Sequence, residues 1–201
     1  MRLSEKTIEL NLCAQITRAL SGGAFWFGLT QEQEARAGFD ACSRIGGRLI
    51  LLQFKASDHV LPSGARRFHL PHHQMVALRG QVRSRQRTVF YVFPLLGTTS
   101  DLRQGADLLP RSCALDVASL PRLVPPTTRS GTPRKSKMHY ADVWSTRAII
   151  RSEPHEVEVV PLVSLVQEGF PGSDGLAIER FPDFWEVARA LGPHSYAAMV
   201  L

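Results

Sequence analysis

The chain is short of cysteine, of long apolar runs and, in two stretches, of acidic residues, and each shortage narrows what it can be. Its three cysteines, Cys13, Cys42 and Cys113, stand far apart. They form no metal-binding motif and no even disulfide set, which favours a reducing compartment over secretion. No apolar run approaches the roughly 18–20 residues that a membrane-spanning helix needs, so no membrane partner is expected. The first residues carry a polar helical pattern rather than a charged and then apolar leader, and a cytoplasmic location is the expectation. Acid is absent between Arg79 and Arg87, a stretch that holds Arg79, Arg83, Arg85 and Arg87. It is absent again across residues 121–137, which are rich in proline and basic residues and read as an exposed loop or strap.

With 201 residues, 44% of them hydrophobic, the chain can build one substantial core, or one core with a small appendage. The formal net charge of +6 favours an anionic partner such as nucleic acid.

Ser4 is a natural N-cap for a first helix, with Glu5 at its positive end. Ile8, Leu12, Cys13, Ile16 and Leu20 recur at helical spacing, and residues 21–23, Ser-Gly-Gly, end it. Glu9 lies on that apolar stripe, either as an edge residue that reaches solvent or as part of a site. Residues 24–29 read as a strand, and Thr30 with Gln33 can cap a short helical turn. A helix is expected over residues 71–82, then a strand over 88–96, a polar connection to 107, and a short strand over 112–117. Residues 147–150 and 156–163 are expected to pair around a turn at 152–154, and a last helix is expected over 182–191. His69, His72 and His73 lack a second ligand cluster and read as surface or phosphate-facing groups rather than a metal site.

The most informative stretch is residues 38–57, GFDACSRIGGRLILLQFKAS. Gly46-Gly47 is a strong two-residue hairpin signal, because such turns need positive φ at their centre. With those glycines as the loop, Ile45 pairs with Arg48 and Asp40 falls opposite Gln53. Directly opposed residues share a face, with Cβ atoms roughly 4.5–5.5 Å apart. Lys55 lies two residues on, diagonal to Asp40. A strand apolar on both faces is buried on both, and a lysine there needs a carboxylate or a wet cleft. One reading is an Asp–Lys ion pair at a strand end, with Gln53 satisfying backbone groups. The other is a polar site. The strand after the 71–82 helix is expected to run parallel to this one, as a β–α–β crossover requires.

The order of a helix-borne glutamate, Gly-Phe-Asp, a hairpin and Gln-x-Lys resembles the PD-(D/E)xK nuclease superfamily. It is most similar to the branch with glutamine in place of glutamate, as in Mrr-type restriction endonucleases. The resemblance spans roughly residues 4–96 and departs from the family pattern in lacking a proline before Asp40. It implies an α/β, restriction-endonuclease-like mixed central sheet flanked by helices, over residues 1–97; residues 98–201, outside the resemblance, are expected to form a β-rich C-terminal extension packed on that core. It implies a metal-dependent nuclease acting on DNA, in a setting such as restriction or antiphage defence. Asp40, Gln53 and the Phe54 carbonyl would hold Mg²⁺ or Mn²⁺, and Lys55 would act on the attacking water. Glu9 would be the helix-borne carboxylate that contacts that water or Lys55, with Glu5 and Glu34 in reserve. A hard cation and oxygen donors suit this chemistry, because cutting a phosphodiester needs charge neutralised on phosphate and a water made nucleophilic. Arg66, Arg67, Arg83, Arg85, Arg134 and Lys135 are candidates for phosphate-backbone contacts, which carry no sequence information. A homodimer or a partner protein fits the same picture. The alternative is a non-catalytic nucleic-acid-binding or complex-assembly subunit on the same frame.

Overall fold

Ser4 starts the structure as expected. Its hydroxyl accepts the Thr7 N–H at 3.0 Å and opens helix α1, Glu5–Ala19. The computed structural model describes residues 2–21, 23–45, 48–57, 59–82, 87–103, 107–127 and 137–170, with only the backbone of Arg48, Arg87 and Arg103. The expected helix over 182–191 lies outside them.

Strand β1, Trp26–Gly28, leads into helix α2, Gln31–Ala37, whose start is the full capping box of Thr30 and Gln33. Gly38 ends α2 at φ 82°, a left-handed conformation that an L side chain rarely takes. The hairpin follows as β2, Ala41–Ile45, and β3, Arg48–Phe54. Its register runs from Ile45 opposite Arg48 to Ala41 opposite Leu52, as the Gly46-Gly47 arithmetic requires.

The chain then leaves this sheet. Strand β4, Arg66–Pro71, is followed by helix α3, His72–Val82, and by β5, Arg87–Pro94, which lies parallel to β3. Pro71, expected in the first helical turn, instead closes β4. Helix α4, Thr99–Arg103, sits inside the expected polar connection, and β6, Ser112–Asp116, pairs antiparallel with β5. Strands β7, Met138–Val143, β8, Arg147–Ile150, and β9, His155–Glu158, form a meander. The expected strand over 156–163 divides. Strand β9 ends at Glu158, Val160–Pro161 form a short β10 beside β6, and Leu162–Gln167 are helix α5. Pro161 lacks an N–H for further pairing and occupies the N-cap of α5.

The result is a mixed α/β structure. One six-stranded sheet has the order β1-β2-β3-β5-β6-β10, and a four-stranded antiparallel sheet has the order β4-β7-β8-β9. Helices α1 and α5 cover one face of the larger sheet, where Ile8, Leu12, Ile16, Leu162 and Leu165 meet Ile50, Leu52, Phe54 and Val92. On the other face Leu49, Leu51, Tyr91 and Phe93 pack against Met75 and Leu78 of α3 and against Phe68, Leu70, Ala141 and Ile150 of the second sheet. Strand β3 is therefore buried on both faces, and each of its large apolar side chains contributes about 1.5–3 kcal/mol. Residues after 97 supply β6 and β10 to the first sheet, while β4 from the earlier half belongs to the second. Among the described residues no helix is long and apolar enough to cross a membrane.

Candidate functional site

The end of β3 emerges from this core beside Asp40. The Asp40 N–H donates to the Leu52 carbonyl at 3.0 Å, which draws the residue across the mouth of the hairpin. Its Oδ2 accepts the Phe54 N–H at 2.7 Å and the Gln53 Nε2 at 2.8 Å. The same Gln53 nitrogen donates to the Phe54 carbonyl at 3.0 Å. Because both partners are acceptors, the amide is held nitrogen-inward, and Gln53 Oε1 is buried with no hydrogen-bond partner among the described residues.

Lys55 continues the parallel ladder through its N–H to the Val92 carbonyl at 3.0 Å. Its side chain is 6% exposed, and Nζ lies 3.6 Å from Glu5 Oε1. That distance is an ion pair rather than a hydrogen bond. Thus Glu5 is the helix carboxylate that reaches the lysine. Glu9, one turn along, has both oxygens 2.9 Å from Lys6 Nζ. Glu9 leans over β1, where a Cβ added to Gly28 would lie 3.9 Å from its Oε1. Gly28 pairs with Ala41, so Glu9 sits beside the start of β2.

These groups form one electrostatic cluster. Burial pushes the Asp40 carboxyl up to about 7; the Phe54 N–H and Lys55 oppose this, while the Glu5 and Glu34 charges add to it. Glu34 is also raised, first by burial and then by Glu9 and Glu5, against the pull of Lys6. The bond to Glu9 holds the Lys6 ammonium above its usual range despite partial burial, and Glu34 and Asp40 act in the same sense. Lys55 is paired with Glu5 and acts on Asp40, and Lys6 is bound to Glu9 and acts on Glu34.

For a hard cation the relevant donors are oxygens. The Asp40 carboxylate and the Phe54 carbonyl already converge on one point, occupied by an amide nitrogen, and the Gln53 carbonyl oxygen is unsatisfied beside it. These residues fit such a cation once the amide is turned over. Among the described residues, no group of three or more His, Cys, Asp or Glu side chains has a metal-holding arrangement, so a backbone carbonyl and an amide would have to complete the donor set.

The basic candidates fare differently. Arg66 donates from Nε to the Leu95 carbonyl at 2.7 Å and from Nη1 to the Ser57 carbonyl at 3.2 Å, bracing the strand ends around the site. Arg67 grips Asp142 with Nε at 2.7 Å and Nη2 at 2.9 Å. Arg83, Arg85, Arg134 and Lys135 lie outside the described residues. Of the histidines, His72 Nδ1 lies 3.0 Å from His139 Nε2, and His139 Nδ1 is 2.5 Å from Ser152 Oγ, a chain that links α3 to β7 and the turn after β8. His69 instead packs edge-on against Tyr140.

Sequence reasoning missed two participants. Lys6 was readable from its i, i+3 spacing to Glu9. Asp142 was not, since it meets Arg67 through the pairing of β4 with β7, distant in sequence. No protein-family model matches this chain, and no curated protein matches it.

Proposed function

We propose that this protein is a metal-dependent nuclease that hydrolyses phosphodiester bonds in DNA, on a restriction-endonuclease-like frame of the PD-(D/E)xK type with Gln-x-Lys. One observation carries the reading: the Asp40 carboxylate and Phe54 carbonyl converge on a single point beside the buried Lys55. Asp40, Gln53 and Phe54 would hold Mg²⁺ or Mn²⁺, which supplies charge neutralisation at the phosphate and a more acidic water. Lys55 orients the attacking water and stabilises the negative charge that develops on the phosphate. Glu5 fixes the Lys55 ammonium from the helix side. Glu9 and Glu34 deepen the negative potential that draws a cation in.

The net charge of +6 supports a polyanionic substrate. Because Arg66 and Arg67 are engaged in bonds within the fold, phosphate-backbone contacts are assigned chiefly to Arg83, Arg85, Arg134 and Lys135. Restriction or antiphage defence, and pairing of two copies to cut both strands, follow by analogy with the resembling family.

The test is plasmid cleavage with Mg²⁺ or Mn²⁺, with and without chelator. Wild type is expected to cut only with the metal, and Asp40→Asn and Lys55→Ala to lose at least about a hundredfold in rate. Equal cleavage by all three proteins sinks the site.

A second reading, a non-catalytic nucleic-acid-binding or complex-assembly subunit, is favoured by a specific feature. The Gln53 amide already bridges Asp40 and Phe54 as a cation would, so the site closes without one. DNA binding with no cleavage under either metal selects this reading.

A further inference from the structure

Two stretches of the sequence lack acid, Arg79 to Arg87 and residues 121–137. The fold brings their described parts to one cavity of about 650 Å³, between α3 and residues 117–125, the segment that follows β6. Arg79 and Val82 line it from the first stretch, Arg122, Leu123 and Val124 from the second. Arg79 Nη1 donates to the Leu120 carbonyl and, at 2.9 Å, to the Pro121 carbonyl. One guanidinium thus ties the two walls together and keeps its charge at the groove. Among the described residues no acidic side chain lines the cavity. Asp116 and Glu153 accept backbone N–H groups of its wall, Ala118 at 2.8 Å and Val124 at 3.1 Å.

The walls are apolar as well as basic. Val76 on α3 and Val124 on the other wall are 57% and 60% exposed, and both line the cavity. A lone exposed valine is ordinary. Two that line one cavity, together with the buried Met75 and Leu123, make a contiguous apolar surface of the kind that receives a partner. The same helix borders the candidate site. On its opposite face Gln74 and Ala77 meet Gly38, two residues before Asp40.

We propose that this groove docks single-stranded DNA: the substrate carries an unpaired segment, and that segment lies along α3. The inference rests on the DNA substrate of the reading above, but not on the cation or on Asp40. A single strand offers both halves of the complement. Its phosphates meet the charges of Arg79 and Arg122, and its unstacked base faces meet the valine walls. A duplex keeps its base faces stacked inside and presents its charged backbone, which leaves the apolar walls without a partner. A small anion would use only part of the positive charge that two acid-free stretches supply, whereas a polyanion uses its whole length.

The experiment is fluorescence anisotropy of the full chain with a labelled oligothymidylate of about twenty nucleotides, longer than a typical single-strand site. It is run in chelator at one fixed salt concentration, because affinity for nucleic acid falls steeply with salt. The same strand annealed to its complement is the duplex probe. The variants are Arg122→Glu, the Val76→Ser/Val124→Ser double variant and Arg18→Glu. Arg18 is 74% exposed near the end of α1, across the larger sheet from the groove, and its change alters net charge as much as Arg122→Glu does. Arg122→Glu is expected to weaken single-strand binding about tenfold, and the double serine variant about fivefold. Arg18→Glu should stay within about twofold of wild type, because a distant surface charge is screened. Duplex binding should be weaker and indifferent to the serine variant.

Equal weakening by Arg122→Glu and Arg18→Glu would mean attraction by net charge alone and would overturn the groove. Single strand and duplex bound alike, with the serine variant indifferent to both, overturns the single strand. Displacement by polyglutamate as readily as by unlabelled oligothymidylate overturns DNA and gives the groove to an acidic polypeptide. Cleavage with Mg²⁺ or Mn²⁺ separates this inference from the nuclease reading. Docking with the expected signatures but no cleavage leaves the groove standing and sinks the nuclease. Cleavage of single strands at wild-type kcat/KM by Arg122→Glu and the serine variant overturns the groove and leaves the nuclease standing.

Discussion

Two buried aspartates carry opposite pH signatures. The Asp40 carboxyl is raised to about 7 by burial, against an ordinary unfolded value of about 3.9. Between those values the folded chain holds a proton that the unfolded chain releases, so Asp40 makes stability fall as pH rises through this window. Asp142 is pushed up by burial but held below its usual range by the bonds from Arg67 and Arg151, so its contribution is present above the ordinary carboxylate range and is lost in acid. In chelator, denaturant titration should find wild type losing stability relative to Asp40→Asn between about pH 4 and 7, with no further divergence above. A constant difference between the two proteins across that range would show that Asp40 is not buried in the charged cluster. The trio Asp40, Gln53 and Lys55 was legible because a glycine pair fixes hairpin register, and register fixes which side chains meet. Whether Glu5 or Glu9 reaches Lys55 was not legible. Both lie on one helical face, and the choice depends on how far α1 slides along the sheet, which packing alone decides.

Elements whose ends carry their own chemistry were readable. Helix α1 has the Ser4 cap, and α2 has the Thr30–Gln33 box followed by Gly38. Strand β7 was missed because its inward positions are His139, Ala141 and Val143, two of them small or polar, next to a basic, proline-rich stretch that reads as loop. Helix α5 was missed because its short apolar run suits strand and helix alike, and only Pro161 marks the change. Gly38 is the junction to watch. A methyl there would sit 3.0 Å from Ala77 Cβ and 3.1 Å from the Gln74 carbonyl, at a φ of 82°. Gly38→Ala is therefore expected to cost about 1–3 kcal/mol in urea unfolding, from left-handed strain plus crowding. An unchanged midpoint would contradict the tight approach of α2 to α3.

At the scale of the whole molecule, the two sheets share one core, and Asp142 pins the smaller one. It is fully buried and receives Arg67 from β4 and, at 2.6 Å, Arg151 from the end of β8. Removing it leaves two guanidiniums that are 32% and 49% exposed and can turn to water. Asp142→Ala is thus expected to cost about 2–3 kcal/mol, less than the 3–5 typical of a fully buried pair. Mn²⁺ affinity should stay at the wild-type level; a matching loss of affinity would mean that the second sheet shapes the site directly. The class of fold was legible from a crossover between two apolar strands. Of the second sheet only the β8–β9 pairing was legible, because β4 joins it through β7, which lies far along the chain.

That separation has a consequence in time. Strand β4 leaves the ribosome early, yet its partner β7 comes only after α3, β5, β6 and the basic strap have been made. Until then β4, which carries Phe68 and Leu70, lacks the partner that satisfies its backbone groups. The arginine and the histidine that alternate with those apolar residues, Arg67 and His69, give that edge a charged and polar face. A charge so placed disfavours non-native strand pairing before Arg67 meets Asp142 in the finished fold.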